Sequence, residues 1–233
     1  AAAAAKLAAA KESKKGKDGH VDVEAPAQTN SILNPNAGNQ NPLGSLEIFA
    51  GLLACIIHDY EHPGFNNQYL VRTRHKMAIR YNDMSVLENH HLAASFGVMF
   101  SCSVDPLQNL AEEQYRTIRR MVIKMVLATD ISQHFGELSL FRTKLTSKDY
   151  PTTSIEDKQI LLNTLVHAAD IGYAGRPWLL YHKWVGRVME EYFRQGDIEK
   201  DRNVPVSMFY DRTNTSIPSC QVGFIDVLVL PLF

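Results

Sequence analysis

The first sustained apolar periodicity in the chain starts at Ser45, where Leu46, Ile48, Phe49, Leu52, Leu53, Ile56 and Ile57 recur at mixed spacings of three and four. Such spacing places one face of a helix against a core, and Ser45 can cap its start. The pattern stops at His62-Pro63-Gly64, a run that breaks helices. Comparable stretches cover Ser85 through Phe100, Glu112 to about Gln133 with Ile118, Met121, Val122, Met125 and Val126 on one face, and Lys158 to Ala169 behind Ser154 and Ile155. Pro177 to Arg194 reads as a long amphipathic helix with Leu179, Leu180, Trp184, Val188 and Tyr192 inward, and a last helix is expected over Gln221 to Val229. Pro151, Thr152 and Thr153 interrupt the series. With no sustained alternation of period two and no internal repeat, the pattern predicts an all-α fold, a compact bundle of many helices.

Ahead of Ser45 the pattern is different. An alanine run, Ala1 to Ala10, leads into the basic stretch Lys11 to Lys17, and Glu24 to Gly44 is rich in Pro, Asn, Gln and Gly. Residues 1–44 are therefore expected to be a tail or linker and residues 45–233 a single domain. A composition 45% hydrophobic and 21% charged can fill one core of that size. Lys and Arg total 24 against 25 Asp and Glu, so no basic excess points to nucleic acid or an anionic membrane as the main partner. The late apolar run Val227 to Phe233 is far too short to span a bilayer and no signal-peptide pattern opens the chain; a soluble, cytoplasmic protein is expected. Cys55, Cys102 and Cys220 are too few and too scattered for a disulfide framework or a C-x-x-C zinc site, and are expected to be reduced.

The candidate chemistry lies beside the apolar helices. His58-Asp59 with His62 would set two imidazoles four residues apart on one helical face, with a carboxylate next to them. Neutral imidazole and carboxylate are usual zinc ligands, and carboxylate with water suits magnesium or manganese. The alternative is a helix end whose histidines merely complement the dipole. A second group is Tyr81-Asn82-Asp83 followed by Glu88-Asn89-His90-His91, in which Glu88 and His91 can share a face. A third is His167-Ala168-Ala169-Asp170 at the end of the apolar run Ile160 to Val166, where Asp170 alone could be an ordinary helix-terminal residue. Buried charge is costly unless it is paired or bound to metal, and three such clusters in one small helical domain are hard to attribute to solvated faces.

Six segments carry a more specific signal: HDYEHPGFNN (His58 to Asn67), YNDMSVLENHH (Tyr81 to His91), LATDISQHF (Leu127 to Phe135), HAADIG (His167 to Gly172), EEYFRQGDIEK (Glu190 to Lys200) and CQVGFID (Cys220 to Asp226). In order and approximate spacing they resemble the class I 3′,5′-cyclic nucleotide phosphodiesterases, and the wording of several is similar to the calmodulin-stimulated branch. The resemblance implies a phosphodiesterase-type, HD-like helical fold and metal-dependent hydrolysis of cAMP, cGMP or both to the 5′-monophosphate. It implies that His58, Asp59 and Asp170 are metal ligands, with Asp59 bridging two divalent cations, zinc and magnesium or manganese, and a bridging hydroxide as the attacking group. His62, Glu88 and Thr129 would hold the water shell of the second cation. Gln221 would hydrogen-bond the purine and Phe224 stack on it, with Val188 and Tyr192 shaping the other side. Gln221 and Phe224 are then expected to line the same cavity as Asp59 and Asp170. By spacing alone, Val188, Tyr192 and Phe224 would be core residues.

The chain also departs from that family's pattern. The upstream run His-Asn-x-x-His-Ala-x-Asp-Val, which supplies the general acid and a further zinc ligand, has no counterpart. Its nearest candidate is His20-Val21-Asp22-Val23, with Gly16 where the acid should stand. The chain stops at Leu232-Phe233, and incompleteness at both ends is expected, with regulatory domains or partner subunits outside it. Tyr173 stands where cAMP-selective members carry an asparagine, so nucleotide preference is open. Two alternatives are a catalytically inactive phosphodiesterase-like subunit that binds nucleotide or holds partners, and an HD phosphohydrolase, which gives no account of Gln221 to Phe224.

Overall fold

The computed structural model describes residues 42–102, 105–147 and 154–233. His20, Gly16, residues 1–41 of the expected tail and the break at Pro151 to Thr153 lie outside the described residues. Those described are helical with turns, and no strand occurs among them. In chain order the helices are α1 (Ser45–Ile57), α2 (Asn67–Arg72), α3 (Lys76–Arg80), α4 (Val86–Ser101), α5 (Glu112–Ala128), α6 (His134–Leu145), α7 (Ile155–Ile171), α8 (Trp178–Asp201) and α9 (Ile217–Phe224). A 3-10 turn, Ile131–Gln133, precedes α6, another, Gly172–Gly175, follows α7, and α9 runs into a π-helical stretch, Ile225–Val229. No described helix is long and apolar enough to cross a membrane, and no disulfide joins the cysteines.

The central packing is α1 against α5 and α7. Ala50, Leu53, Ala54 and Ile57 form the buried face of α1, and they meet Ile118, Met121, Val122, Met125 and Val126 of α5 and Leu162 and Val166 of α7. Ala50 and Ala54 have no exposed surface, and their small side chains let the helix axes approach closely. Each buried Leu, Ile or Val there contributes roughly 1.5–3 kcal/mol. The predicted inward set for α1 was too wide, for Ile48, Leu52 and Ile56 form an exposed stripe. The start differs as well. Gly44, in extended conformation, is the N-cap, and Glu47 in the first turn reaches Lys158 of α7 at 2.7 Å.

Several other boundaries move, each for a local reason. α1 stops at Ile57 rather than near His62, because Glu61 adopts a left-handed conformation and Pro63 disfavours helix at the residue before it. α5 ends at Ala128, where the Asp130 carboxylate accepts from the Ser132 amide and caps a separate turn. Ser85, also left-handed, leaves α4 without a side-chain cap and gives its hydroxyl proton to Asp130 at 2.8 Å. In α8 the buried stripe is Val185, Met189 and Phe193, packed with Cys220 of α9. Of the residues expected inward there, Leu179, Leu180 and Trp184 are exposed, whereas Val188 and Tyr192 are half-buried. The final helix divides, α9 closing at Phe224 before the backbone loosens to π geometry.

Two buried polar arrangements tie helices to their neighbours. Buried Glu199 of α8 accepts from the Ser207 amide at 2.6 Å, the Ser207 hydroxyl at 2.7 Å and the Gln195 amide at 2.9 Å, while Gln195 accepts from the Asn66 amide at 2.8 Å. Beside it, Gly196 lies so close to the next loop that a Cβ there would stand 1.9 Å from the Tyr210 carbonyl oxygen.

Between α6 and α7 a second device sits deep in the fold. The His134 and His167 rings meet at 2.8 Å, Nδ1 to Nε2, and their outer nitrogens have no hydrogen-bond partner among the described residues. Burial lowers both pKa values, that of His134 to about 4, and each ring's charge would repel the other's. The unfolded chain therefore binds protons that the fold refuses, so this contribution is intact above an ordinary histidine pKa of about 6.5 and is lost as pH falls from there towards 4. Unfolding free energies from urea titrations at pH 7 and pH 5 should differ by about 2 kcal/mol on this account, and His134→Gln should make the dependence shallower.

Candidate functional site

The α1–α7 packing carries one histidine and one aspartate to the same place. His58 caps the C-terminus of α1 and Asp170 occupies the last turn of α7. The His58 Nδ1 proton goes to the Cys55 carbonyl at 2.8 Å, which leaves the Nε2 lone pair facing outward. Nε2 lies 3.4 Å from an Asp170 oxygen and 3.5 Å from Asp59 Oδ2. Ligand atoms of all three residues lie within 4.8 Å of one another. The hydrogen bond to Asp170 raises the His58 pKa to about 9, against the opposing effect of burial. Two carboxylates therefore create a demand for positive charge at Nε2, which a proton or a metal cation can satisfy.

Asp59 faces a second imidazole group with its other oxygen. Oδ1 lies 3.8 Å from Nε2 of buried His91, whose Nδ1 proton is held by the Tyr60 carbonyl at 2.6 Å. His91 thus shares the tautomer of His58, and burial keeps it in the neutral range. Asp59, His62 and His91 form a second group of ligand atoms within 4.8 Å. The expectation of one helical face for His58 and His62 fails, since His62 lies beyond the helix end and arrives by a turn. It stacks on His91 at 5.7 Å. His62 Nδ1 accepts from the Gly64 amide at 3.1 Å, which leaves Nε2 as the nitrogen that faces water or a cation.

Glu88 takes two contacts from the Asn67 side-chain amide, the shorter 2.9 Å. Burial, reinforced by the charges of Asp130 and Asp59, raises its pKa to about 7. The Thr129 hydroxyl donates to the Val126 carbonyl at 2.7 Å, leaving its lone pairs to accept. Sequence reasoning placed His91 in a candidate cluster with Glu88 but assigned it no ligand role, and it gave Asp130 none. The signals available for them were the three-residue spacing from Glu88 and a carboxylate at the end of an apolar helix.

Around α9 the Gln221 side chain is buried, and its Oε1 accepts from the hydroxyls of Tyr173 at 3.3 Å and Tyr181 at 3.2 Å. Its Nε2 points to Met189 Sδ at 3.8 Å. The Phe224 ring stacks on Tyr173, centroids 5.4 Å apart and planes 18° from parallel. Tyr192, expected to face Phe224 across a base, instead stacks on Tyr210 at 4.4 Å. Burial raises its pKa to about 12, with smaller contributions from Cys220, Glu191 and Asp170. Val188 lies half-buried on α8 one turn before Tyr192. A groove of about 630 Å³ runs between Pro63-Gly64-Phe65 and the face of α8 that carries Lys183, Arg187 and Glu191. None of Asp59, Asp170, Gln221 and Phe224 lines that groove. That groove is not the expected common cavity; at α9 Tyr173 stacks on Phe224, and the Tyr173 and Tyr181 hydroxyls meet Gln221.

Residues 25–233 match the sequence pattern of the family described as 3′5′-cyclic nucleotide phosphodiesterase. The chain is 41% identical over 196 residues to a dual specificity calcium/calmodulin-dependent 3′,5′-cyclic nucleotide phosphodiesterase 1 of Drosophila melanogaster, covering 84% of this chain and 23% of the relative. It is 41% identical over 194 residues to the 3′,5′-cyclic-AMP phosphodiesterase 4C of Rattus norvegicus, covering 81% of this chain and 36% of the relative. It is 42% identical over 194 residues to the probable 3′,5′-cyclic-AMP phosphodiesterase pde-4 of Caenorhabditis elegans, with coverage of 81% and 29%. The chain thus spans little more than a third, or less, of each relative's length, and the similarity is even between the dual-specificity and the cyclic-AMP proteins.

Proposed function

The chain belongs to the 3′5′-cyclic nucleotide phosphodiesterase family, and from that premise we propose that it carries the metal-dependent hydrolysis of cAMP, cGMP or both to the 5′-monophosphate. The observation that supports the reading is the position of Asp59, one carboxylate oxygen 3.5 Å from His58 and the other 3.8 Å from His91, shared between a group with Asp170 and a group with His62. Carbonyl-anchored imidazoles with outward lone pairs, next to carboxylates that raise the pKa of His58, fit a divalent cation. His58, Asp59 and Asp170 would hold zinc, and Asp59 would also face magnesium or manganese. Bound there, the cations would supply Lewis acidity towards the phosphate and lower the pKa of water.

The remaining steps belong to the chain's own side chains. His62 offers its Nε2, Thr129 offers lone pairs, and Glu88 can take or give a proton near neutral pH; together they orient water beside Asp59. Gln221 can donate and accept towards the polar edge of a purine, and Phe224 offers a flat apolar face. The full-length protein with zinc and magnesium should turn over cAMP, cGMP or both, and Gln221→Ala should raise KM about tenfold with a smaller change in kcat, the scale of one or two lost hydrogen bonds. Absence of turnover for both nucleotides under every metal condition, with zinc still bound, would overturn the hydrolytic reading.

A further inference from the structure

The two residues assigned above to the base are already engaged by the protein itself. A carbonyl oxygen has two lone pairs, and Gln221 Oε1 receives two hydroxyls, from Tyr173 and Tyr181. Phe224 has one face covered by the Tyr173 ring, and Tyr173 in turn stacks on Tyr181 at 6.0 Å with planes 16° apart. Tyr173 is therefore the middle ring of a ladder that covers one face of Phe224 and, with Tyr181, fills the Gln221 oxygen. Its hydrogen bond is long: the Tyr173 hydroxyl stands 3.3 Å from the Gln221 oxygen, beyond the usual range for such bonds. The ring stands on a short 3-10 turn at the end of α7, half-buried at the edge of the Val185, Met189, Phe193 and Cys220 cluster rather than inside it.

From this arrangement we infer that Tyr173 is a gate on the base pocket, a side chain that a purine must displace from Phe224 and Gln221 in order to bind. The inference rests on the base-pocket reading given above and adds to it a competitor built into the chain. Tyr173 occupies in the free protein the contacts that a base would use, so part of the base's binding energy is spent on moving it. A group that leaves so easily acts on affinity for the base and not on affinity for phosphate.

The test compares 5′-AMP and 5′-GMP with ribose 5-phosphate, which lacks the base, by calorimetry on the full-length protein in zinc and magnesium. Tyr173→Ala should tighten the nucleotides about three- to tenfold, the scale of one weak hydrogen bond and one aromatic contact, and leave ribose 5-phosphate unchanged. Tyr173→Phe, which keeps the ring and loses the hydroxyl, should fall between wild type and alanine. Weaker nucleotide binding in Tyr173→Ala would make the ring a wall of the pocket; it would overturn the gate and leave the base-pocket reading standing. Equal binding of nucleotide and ribose 5-phosphate, or binding of neither, would overturn the pocket reading and the gate with it. If the alanine variant does not fold, fluorotyrosine at position 173 gives the answer by fluorine resonance in the otherwise unaltered protein. Its signal should shift on adding 5′-AMP and stay still with ribose 5-phosphate, and no shift with either would overturn the gate.

Discussion

Asp170→Ala should remove measurable cyclic-nucleotide turnover and weaken zinc binding by more than about a hundredfold. The lower bound follows from residues one step further out, since losing a partner that merely orients a ligand costs about 10–100-fold in metal affinity. Asp170 stands closer than that. Its carboxylate is 3.4 Å from His58 Nε2 and is the first cause of the raised His58 pKa. Its removal takes away one negative charge and one prospective ligand atom, while the backbone and the Cys55 carbonyl that aim His58 stay in place. Titrating zinc into metal-stripped wild-type and variant protein, in parallel with turnover of cAMP and cGMP, checks both parts. Asp170 is partly exposed, at 32% of its side-chain surface, and α7 has its own buried stripe, so the variant should fold. Undiminished zinc affinity would remove Asp170 from the site.

Gly196→Ala should cost about 3 kcal/mol or more, at or above the upper end of the usual penalty for overpacking. Most small-to-large substitutions are absorbed by a neighbouring side chain changing rotamer. Here the obstacle is backbone, with the Tyr210 carbonyl oxygen 1.9 Å and its carbon 2.6 Å from the new methyl. Either the loop carrying Tyr210 or α8 must move, and Glu199 holds the two together on the next turn. Alanine is a better helix former than glycine by up to about 1 kcal/mol, and that gain is too small to offset the clash. Thermal unfolding should show a midpoint lower by about 6–12 °C for a domain of this size. An unchanged midpoint would mean that the loop can withdraw at no cost.

How much of this was legible beforehand depended on the signal each part leaves in sequence. The helices α1, α4, α5 and α7 carry broad apolar stripes and were predicted as elements, because the requirement to bury one face is written at every third or fourth position. In α8 the helix was read correctly but its inward face was not. Leu179, Leu180 and Trp184 are apolar yet exposed, and hydropathy cannot distinguish an apolar residue with a partner from one without. Short α2 and α3 left no periodicity to read. In α6 only His134 and Leu138 are buried, so no stripe marks it. At the site, His58, Asp59 and Asp170 stood out as acidic and imidazole clusters beside apolar helices, their ligand roles came only from motif resemblance, and α1 and α7 bring the three together. His62 was placed near Asp59 for the wrong reason, by helical spacing rather than by the turn at Glu61. The engagement of Gln221 by Tyr173 and Tyr181 had no sequence signature, since it depends on three elements meeting.

The staple at Glu199 has a consequence for how the molecule opens. A loop on a protein surface ordinarily frays by itself, at little free-energy cost, and offers its backbone to proteases without disturbing the rest. The segment around Ser207 cannot do so, because lifting it strips a fully buried carboxylate of two of its donors while α8 and the rest of the helical packing stay closed over it. Glu199 then keeps only the Gln195 amide at 2.9 Å and the Arg72 guanidinium at 3.8 Å, so water must reach it to replace the lost donors, and that requires α8 to loosen as well. Cleavage near residue 207 is therefore coupled to opening of the long helix, and its rate reports on that larger event rather than on local fraying.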